Sequence, residues 1–222
     1  MAVGLRAARA RISRNRKFRR GQSLVEFTLM LPVLLIMLSG VIEAGFMLNS
    51  YLDIIDAARD TARFAAYNDP IRSDLDGSPL YPNPNFYNRT QYEARLSLER
   101  SSDGRIDWML DDPFSIPCDL INGDVVISSF GVLGNLVDER FPRGAPNGQS
   151  MCGNYSSKYV YKKGDPMYQA ASIDSGLVLV EIYYEYNQVL ALPWITAFVP
   201  DPVTLYAYTF MPNTYVEPTP VP

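Results

Sequence analysis

Residues 27–42 read Phe-Thr-Leu-Met-Leu-Pro-Val-Leu-Leu-Ile-Met-Leu-Ser-Gly-Val-Ile, sixteen positions without a charge between Glu26 and Glu43. Leu24 and Val25 extend the run on one side and Ala44 to Leu48 on the other. As a helix, this stretch is long enough to cross a hydrocarbon layer of ~30 Å, which places a membrane span at about 24–48. The run exceeds the roughly 7–15 residues of a signal-peptide core, and the residues before Gly45 that would have to be small are Ile42 and Ala44. The segment is therefore expected to stay in the mature chain.

The charge on either side of this run is lopsided. Residues 1–20 hold eight basic side chains, ending in Arg19 and Arg20, and no acid. The other residues carry 12 basic against 24 acidic side chains, so the overall −4 conceals a basic leader and an acidic remainder. Basic flanks stay on the cytoplasmic side of a membrane, which predicts an N-in, C-out single pass through the cytoplasmic membrane. Because the basic leader abuts the apolar run and no recognition helix or stacking pattern accompanies it, nucleic acid is not an expected partner. Membrane lipid is.

Past the apolar run, Leu48, Tyr51, Leu52, Ile55, Ala58, Ala62, Ala65 and Ala66 keep a three-and-four spacing. That spacing continues the helix as an amphipathic extension over 49–68, with Asp60 and Arg63 placed for an i, i+3 pair on another face. Asn68-Asp69-Pro70 ends it, since the residue before a proline is driven out of helical geometry. One helix of about 45 residues, ~65–70 Å at ~1.5 Å per residue, is the expectation. Pro32 removes one backbone donor inside it and predicts a kink or local loosening there.

The residues that carry family information lie at the two ends of this helix. They are Arg19-Arg20-Gly21-Gln22-Ser23-Leu24-Val25-Glu26-Phe27, the Leu31-Pro32 step, and Ala57-Ala58-Arg59-Asp60-Thr61-Ala62-Arg63-Phe64-Ala65-Ala66. Together they resemble the TadE-like minor pilins and pseudopilins of Tad (Flp, type IVc) pilus systems, over about the first third of the chain. The resemblance implies cleavage by a membrane-bound prepilin peptidase between Gly21 and Gln22, after a leader spanning residues 1–21. It also implies other pilin or pseudopilin subunits and the Tad assembly platform as partners, and a role in pilus assembly, adhesion or secretion. Glycine at position 21 suits close approach of a protease to the backbone. In the mature chain Glu26 would neutralise the new ammonium group of a neighbouring subunit's Gln22, and Glu26, Phe27 and Pro32 are the expected assembly residues. Many type IV pilins begin with an aromatic residue, whereas this mature chain would begin with Gln22, which leaves N-terminal methylation open.

Residues 69–215 read as an extracytoplasmic β-rich domain. Pro70 to about Pro84 is a connector rich in turn formers, and Gln91 to Arg100 suits a short helix. Strand composition marks 124–130, 177–187 and 203–211, and the last alternates cleanly: Val203, Leu205, Ala207, Thr209 and Met211 face one way, Thr204, Tyr206, Tyr208 and Phe210 the other. The stretch 131–166 reads as loop. The fold class expected is α+β, a long transmembrane helix continuing into a small antiparallel sheet, which is also the general plan of pilins. Cys118 and Cys152 in an exported segment suggest one disulfide, worth ~3–4 kcal/mol through loop entropy. Several of the fifteen tyrosines, among them Tyr81, Tyr87, Tyr92, Tyr155, Tyr159, Tyr161 and Tyr168, either form a binding surface or bridge core and solvent. Residues 216–222, rich in proline, read as a disordered tail.

The chemistry of an enzyme is not legible. The chain has no histidine and two distant cysteines, so no catalytic residue, metal site or cofactor is expected. Asp74-Leu75-Asp76-Gly77 fits a calcium loop poorly, because that frame puts Arg72 first and Asn83 last, where carboxylates are required. Asn88 and Asn154 begin glycosylation-type triplets, relevant only in a host that modifies them. The alternative to a cleaved pilus subunit is an uncleaved, single-pass, membrane-anchored extracytoplasmic binding protein.

Overall fold

In the computed structural model, described over residues 18–72, 81–102, 123–142, 147–168 and 174–216, helix α1 runs from Phe18 to Ala66 without interruption. The chain divides into two compact units, one ending at Ile42 and the other running from Glu43 onward. The fold is α+β, a long apolar N-terminal helix followed by a small antiparallel sheet.

In the first unit, the apolar side chains of α1 from Leu24 to Val41 are exposed all round, with no face set aside for a core. The helix passes through Pro32, and the Thr28 hydroxyl donates to the Leu24 carbonyl at 2.8 Å one turn earlier. Helical backbone is already present at Phe18, ahead of the expected 22, because Phe18, Arg19 and Arg20 are adequate helix formers and a single glycine at 21 costs only ~1 kcal/mol.

The second unit is a sheet with helices on one face. A short antiparallel pair, β1 (Ile71–Arg72) and β2 (Tyr81–Pro82), leads into α2 (Pro84–Ser102). The main sheet contains β3 (Gly123–Leu133), β4 (Leu136–Phe141), β5 (Gln149–Ser150), β6 (Ser175–Tyr186) and β7 (Val203–Pro212). Its order is β4-β3-β6-β7, all antiparallel, with β5 pairing β3 at Val126 and Ile127. A four-residue helix α3 (Pro193–Thr196) lies between β6 and β7, and a 3-10 turn, Thr214–Val216, follows β7.

Alternation assigns the two faces. Val125 and Ile127 of β3, Val178, Val180 and Ile182 of β6 and Ala207 of β7 pack against Ile54, Ala57, Ala58, Ala62 and Ala65 of α1 and Phe86, Tyr87 and Ala94 of α2. The alanines let the helix backbone come close to the sheet. Asn213 then secures the end of α1, its side-chain amide donating to the carbonyls of Ala65 (2.9 Å) and Asn68 (3.0 Å), groups that a helix leaves without partners.

Several boundaries differ from expectation. The segment read as loop contains β4 and β5, and the short helix expected at 91–100 begins at Pro84, where proline suits a first helical position and Asn83 Oδ1 accepts from the Asn85 N–H. The β-rich domain thus carries a nineteen-residue helix. Val216, assigned to the tail, is buried in the closing turn beside Ile71 and Phe141. The calcium-like stretch 74–77, Cys118 and residues 217–222 lie outside the described residues.

Candidate functional site

The bond between Gly21 and Gln22 lies within helical backbone of α1, close to the first described residue, Phe18. Gly21 is exposed, and a Cβ added there would meet nothing within 4 Å. Glu26 and Phe27 are exposed further along the same helix, and i, i+4 spacing puts Glu26 one turn from Gln22. The backbone of Arg19 and Arg20 is helical, while their side chains and that of Gln22 lie outside the described residues. Gly21, Gln22, Glu26, Phe27 and Pro32 therefore share one helix, and from Leu24 to Ile42 its surface is almost wholly apolar.

Glu43, which from sequence only marked the end of the uncharged run, is the first residue of the second unit and is only 6 % exposed. Its Oε1 accepts from the Tyr186 hydroxyl at 2.6 Å and the Val189 N–H at 2.9 Å, and its Oε2 accepts from the Leu190 N–H at 2.8 Å. Three donors directed at one carboxylate offset the cost of removing it from water. Burial, with the charge and hydrogen bond of Glu43, holds the Tyr186 hydroxyl above its ordinary 10.0.

The sheet face away from the helices is aromatic and charged. Tyr208 and Phe210 of β7 meet Tyr159, Tyr206 meets Tyr183, and Tyr183 stacks on Tyr155 at 4.5 Å between ring centroids. Glu181 is fully buried among them, its Oε1 accepting from the Tyr206 hydroxyl (2.8 Å) and the Lys158 N–H (2.9 Å). The Lys158 ammonium sits 3.5 Å from the Tyr206 ring centroid, a cation over a π face. Burial first, then the hydrogen bond to and charge of Glu181, push Tyr206 well above 10.0, and burial does the same to Tyr183. These tyrosines bridge core and solvent. Tyr87 is buried against the helices instead, and Tyr168 is fully exposed.

A third buried carboxylate, Asp124, organises the loop after β5. Asp124 accepts from the N–H groups of Val125, Met151, Cys152, Asn154 and Tyr155, at 2.8–3.1 Å, and from the Ser150 hydroxyl at 2.5 Å. Residues 150–155 wrap around it. This carboxylate meets only donors, so it acts as a template for backbone and not as a cation ligand. Among the described residues no three His, Cys, Asp or Glu side chains converge as a metal site needs. Cys152 lies on this loop, half-buried.

Sequence reasoning placed the residues of α1 and missed Glu43, Asp124 and Glu181. Those three lie next to or inside apolar stretches, which is the available signal, because a carboxylate in such a place is bound to be paired. Their partners lie up to 147 positions away and have no local pattern.

Residues 21–63 match the model of a family described as TadE-like protein. The match begins at Gly21 and covers the apolar run and most of the alanine-rich extension. No curated protein and no solved structure matches the chain.

Proposed function

From an N-terminal helix that carries the TadE-like pattern, and whose single apolar span suits single-pass membrane anchoring in a Tad pilus-associated protein, we propose that the chain is a minor pilin or pseudopilin. Prepilin peptidase cleaves it after Gly21, and the mature helix beginning at Gln22 enters a pilus through the Tad assembly platform. The observation that carries this reading is the surface of α1 from Leu24 to Ile42, apolar and exposed all round and led by Glu26. Lipid covers such a surface before assembly, and neighbouring helices cover it afterwards.

Within the filament Glu26 meets the ammonium of a neighbour's Gln22, and the low dielectric makes their register specific. The basic leader keeps the N-terminus cytoplasmic and the sheet domain outside. The work is subunit packing in support of adhesion or secretion, with no catalytic step and no cofactor. On the exported side Cys118 and Cys152 form a disulfide, which mass-shifted alkylation before and after reduction tests. Labelling of both thiols without reductant excludes it.

The test is co-expression with the cognate prepilin peptidase and mass spectrometry of the N-terminal peptide. A peptide beginning at Gln22, lost in Gly21→Leu, supports the reading. An intact leader in the presence of active peptidase leaves an uncleaved membrane-anchored binding protein.

A further inference from the structure

Between Tyr186 and Asp201 the chain reads Asn-Gln-Val-Leu-Ala-Leu-Pro-Trp-Ile-Thr-Ala-Phe-Val-Pro, fourteen residues without a charge, yet this loop is not a core element. Phe198 is 88 % exposed, Val189 60 % and Trp194 41 %. A cluster of large apolar side chains held in solvent marks a surface with a partner.

The loop is built to leave water. At its tip five successive N–H groups are paired within the loop: those of Ile195 and Thr196 donate to the Leu192 carbonyl, that of Ala197 to Pro193, and those of Phe198 and Val199 to Ile195. Gln188 closes the base, its N–H donating to Asp201 Oδ1 and its side-chain amide to the carbonyls of Val199 and Pro200. Internally paired backbone is what a segment needs to enter an apolar phase.

The root of the loop says which phase. Val189 and Leu190 are tied by their N–H groups to Glu43, and Glu43 directly follows Ile42, the last of the sixteen uncharged residues of α1. The loop is therefore fixed at the residue where the uncharged stretch ends. We propose that its tip, with Trp194 and Phe198, inserts into the headgroup and acyl boundary of the same bilayer that α1 crosses, as a second, shallow membrane contact. Tryptophan favours that zone, and apolar faces of interfacial segments lie ~5–10 Å into it. Glu185 and Asp201, at the two ends of the loop, stay on the aqueous side. The inference rests on the membrane-anchored reading of α1.

The test uses the full chain in phosphatidylcholine and phosphatidylglycerol vesicles, with Trp108→Phe making Trp194 the sole indole. Expected is a blue-shifted Trp194 emission, quenched by lipids brominated high on the acyl chain, independent of protein-to-lipid ratio, and lost with Phe198→Asp. A second variant, Leu34→Trp with both native tryptophans replaced by phenylalanine, reports on α1 separately. Quenching of the indole introduced into α1 without quenching at Trp194 overturns the loop insertion and leaves the anchor standing. Quenching at neither position overturns both. Shielding of Trp194 only at high protein density makes a second copy the occupant and also overturns the proposal.

Discussion

Replacing Glu43 with alanine removes the acceptor for three hydrogen bonds, from the Tyr186 hydroxyl at 2.6 Å and the N–H groups of Val189 at 2.9 Å and Leu190 at 2.8 Å. Bonds to a charged group contribute ~1.5–3 kcal/mol each, and the hydration the carboxylate gives up offsets several kcal/mol of that sum. In the alanine variant the Tyr186 hydroxyl, on a residue 4 % exposed, is left without an acceptor at a cost of ~1–3 kcal/mol. The two N–H groups belong to less buried residues and recover water. The balance is about 3 kcal/mol of local closure, or ~100-fold in the opening equilibrium of the loop. Hydrogen exchange of the full chain in detergent or lipid reads this directly: protection over residues 187–192 should fall by about two orders of magnitude while the β6 amides of 177–183 keep theirs. Glu43→Gln, which retains one acceptor oxygen, should fall between the two. Protection at 187–192 unchanged in the alanine variant would mean that Gln188 and its contacts to Asp201, Val199 and Pro200 hold the loop alone, and the clamp would have no role.

Asp124→Ala should release residues 150–155 and cost about 3–5 kcal/mol, because six donors lose one buried carboxylate; thermal unfolding and the near-ultraviolet signal of the Tyr155–Tyr183 stack report it. Gly123→Ala should lower the denaturation midpoint, since φ is +149° there and a Cβ would collide with the Tyr183 carbonyl oxygen. The contribution of three tyrosines to stability should be present in full below pH 10 and be lost as pH rises past it. Tyr183, Tyr186 and Tyr206 are held above 10.0 in the fold, so the unfolded chain binds fewer protons there and alkali favours it. The phenolate absorbance that Tyr206→Phe removes should therefore appear together with the loss of circular dichroism on alkaline titration, and its appearance near pH 10 with the fold intact would contradict this.

What could be read ahead of the structure was what is written locally. The apolar run, the alanine spacing and the Asn68-Asp69-Pro70 stop gave α1 and placed its end within two residues of Ala66, and β-branched composition gave β3, β6 and β7. β4 was hidden because Asp138, Glu139 and Arg140 look like a loop, although Gly134-Asn135 was the legible clue. Those two residues take φ of 62° and 63° between Leu133 and Leu136, the left-handed pair that a tight hairpin requires. Asn83-Pro84 was likewise a helix start read as the end of a connector. The roles of Glu43, Asp124 and Glu181 had no local signature, because each is defined by donors brought from other strands and loops.

The alanines of α1 that lie flat on the sheet have a mechanical consequence. A pull along the axis of α1 reaches the sheet in shear, spread at once over Ile54, Ala57, Ala58, Ala62 and Ala65, with Asn213 bolting the far end and Glu43 the near one. Contacts loaded in parallel yield together, unlike a zipper that opens one tooth at a time. Force along this part of the helix would therefore load the sheet as one piece.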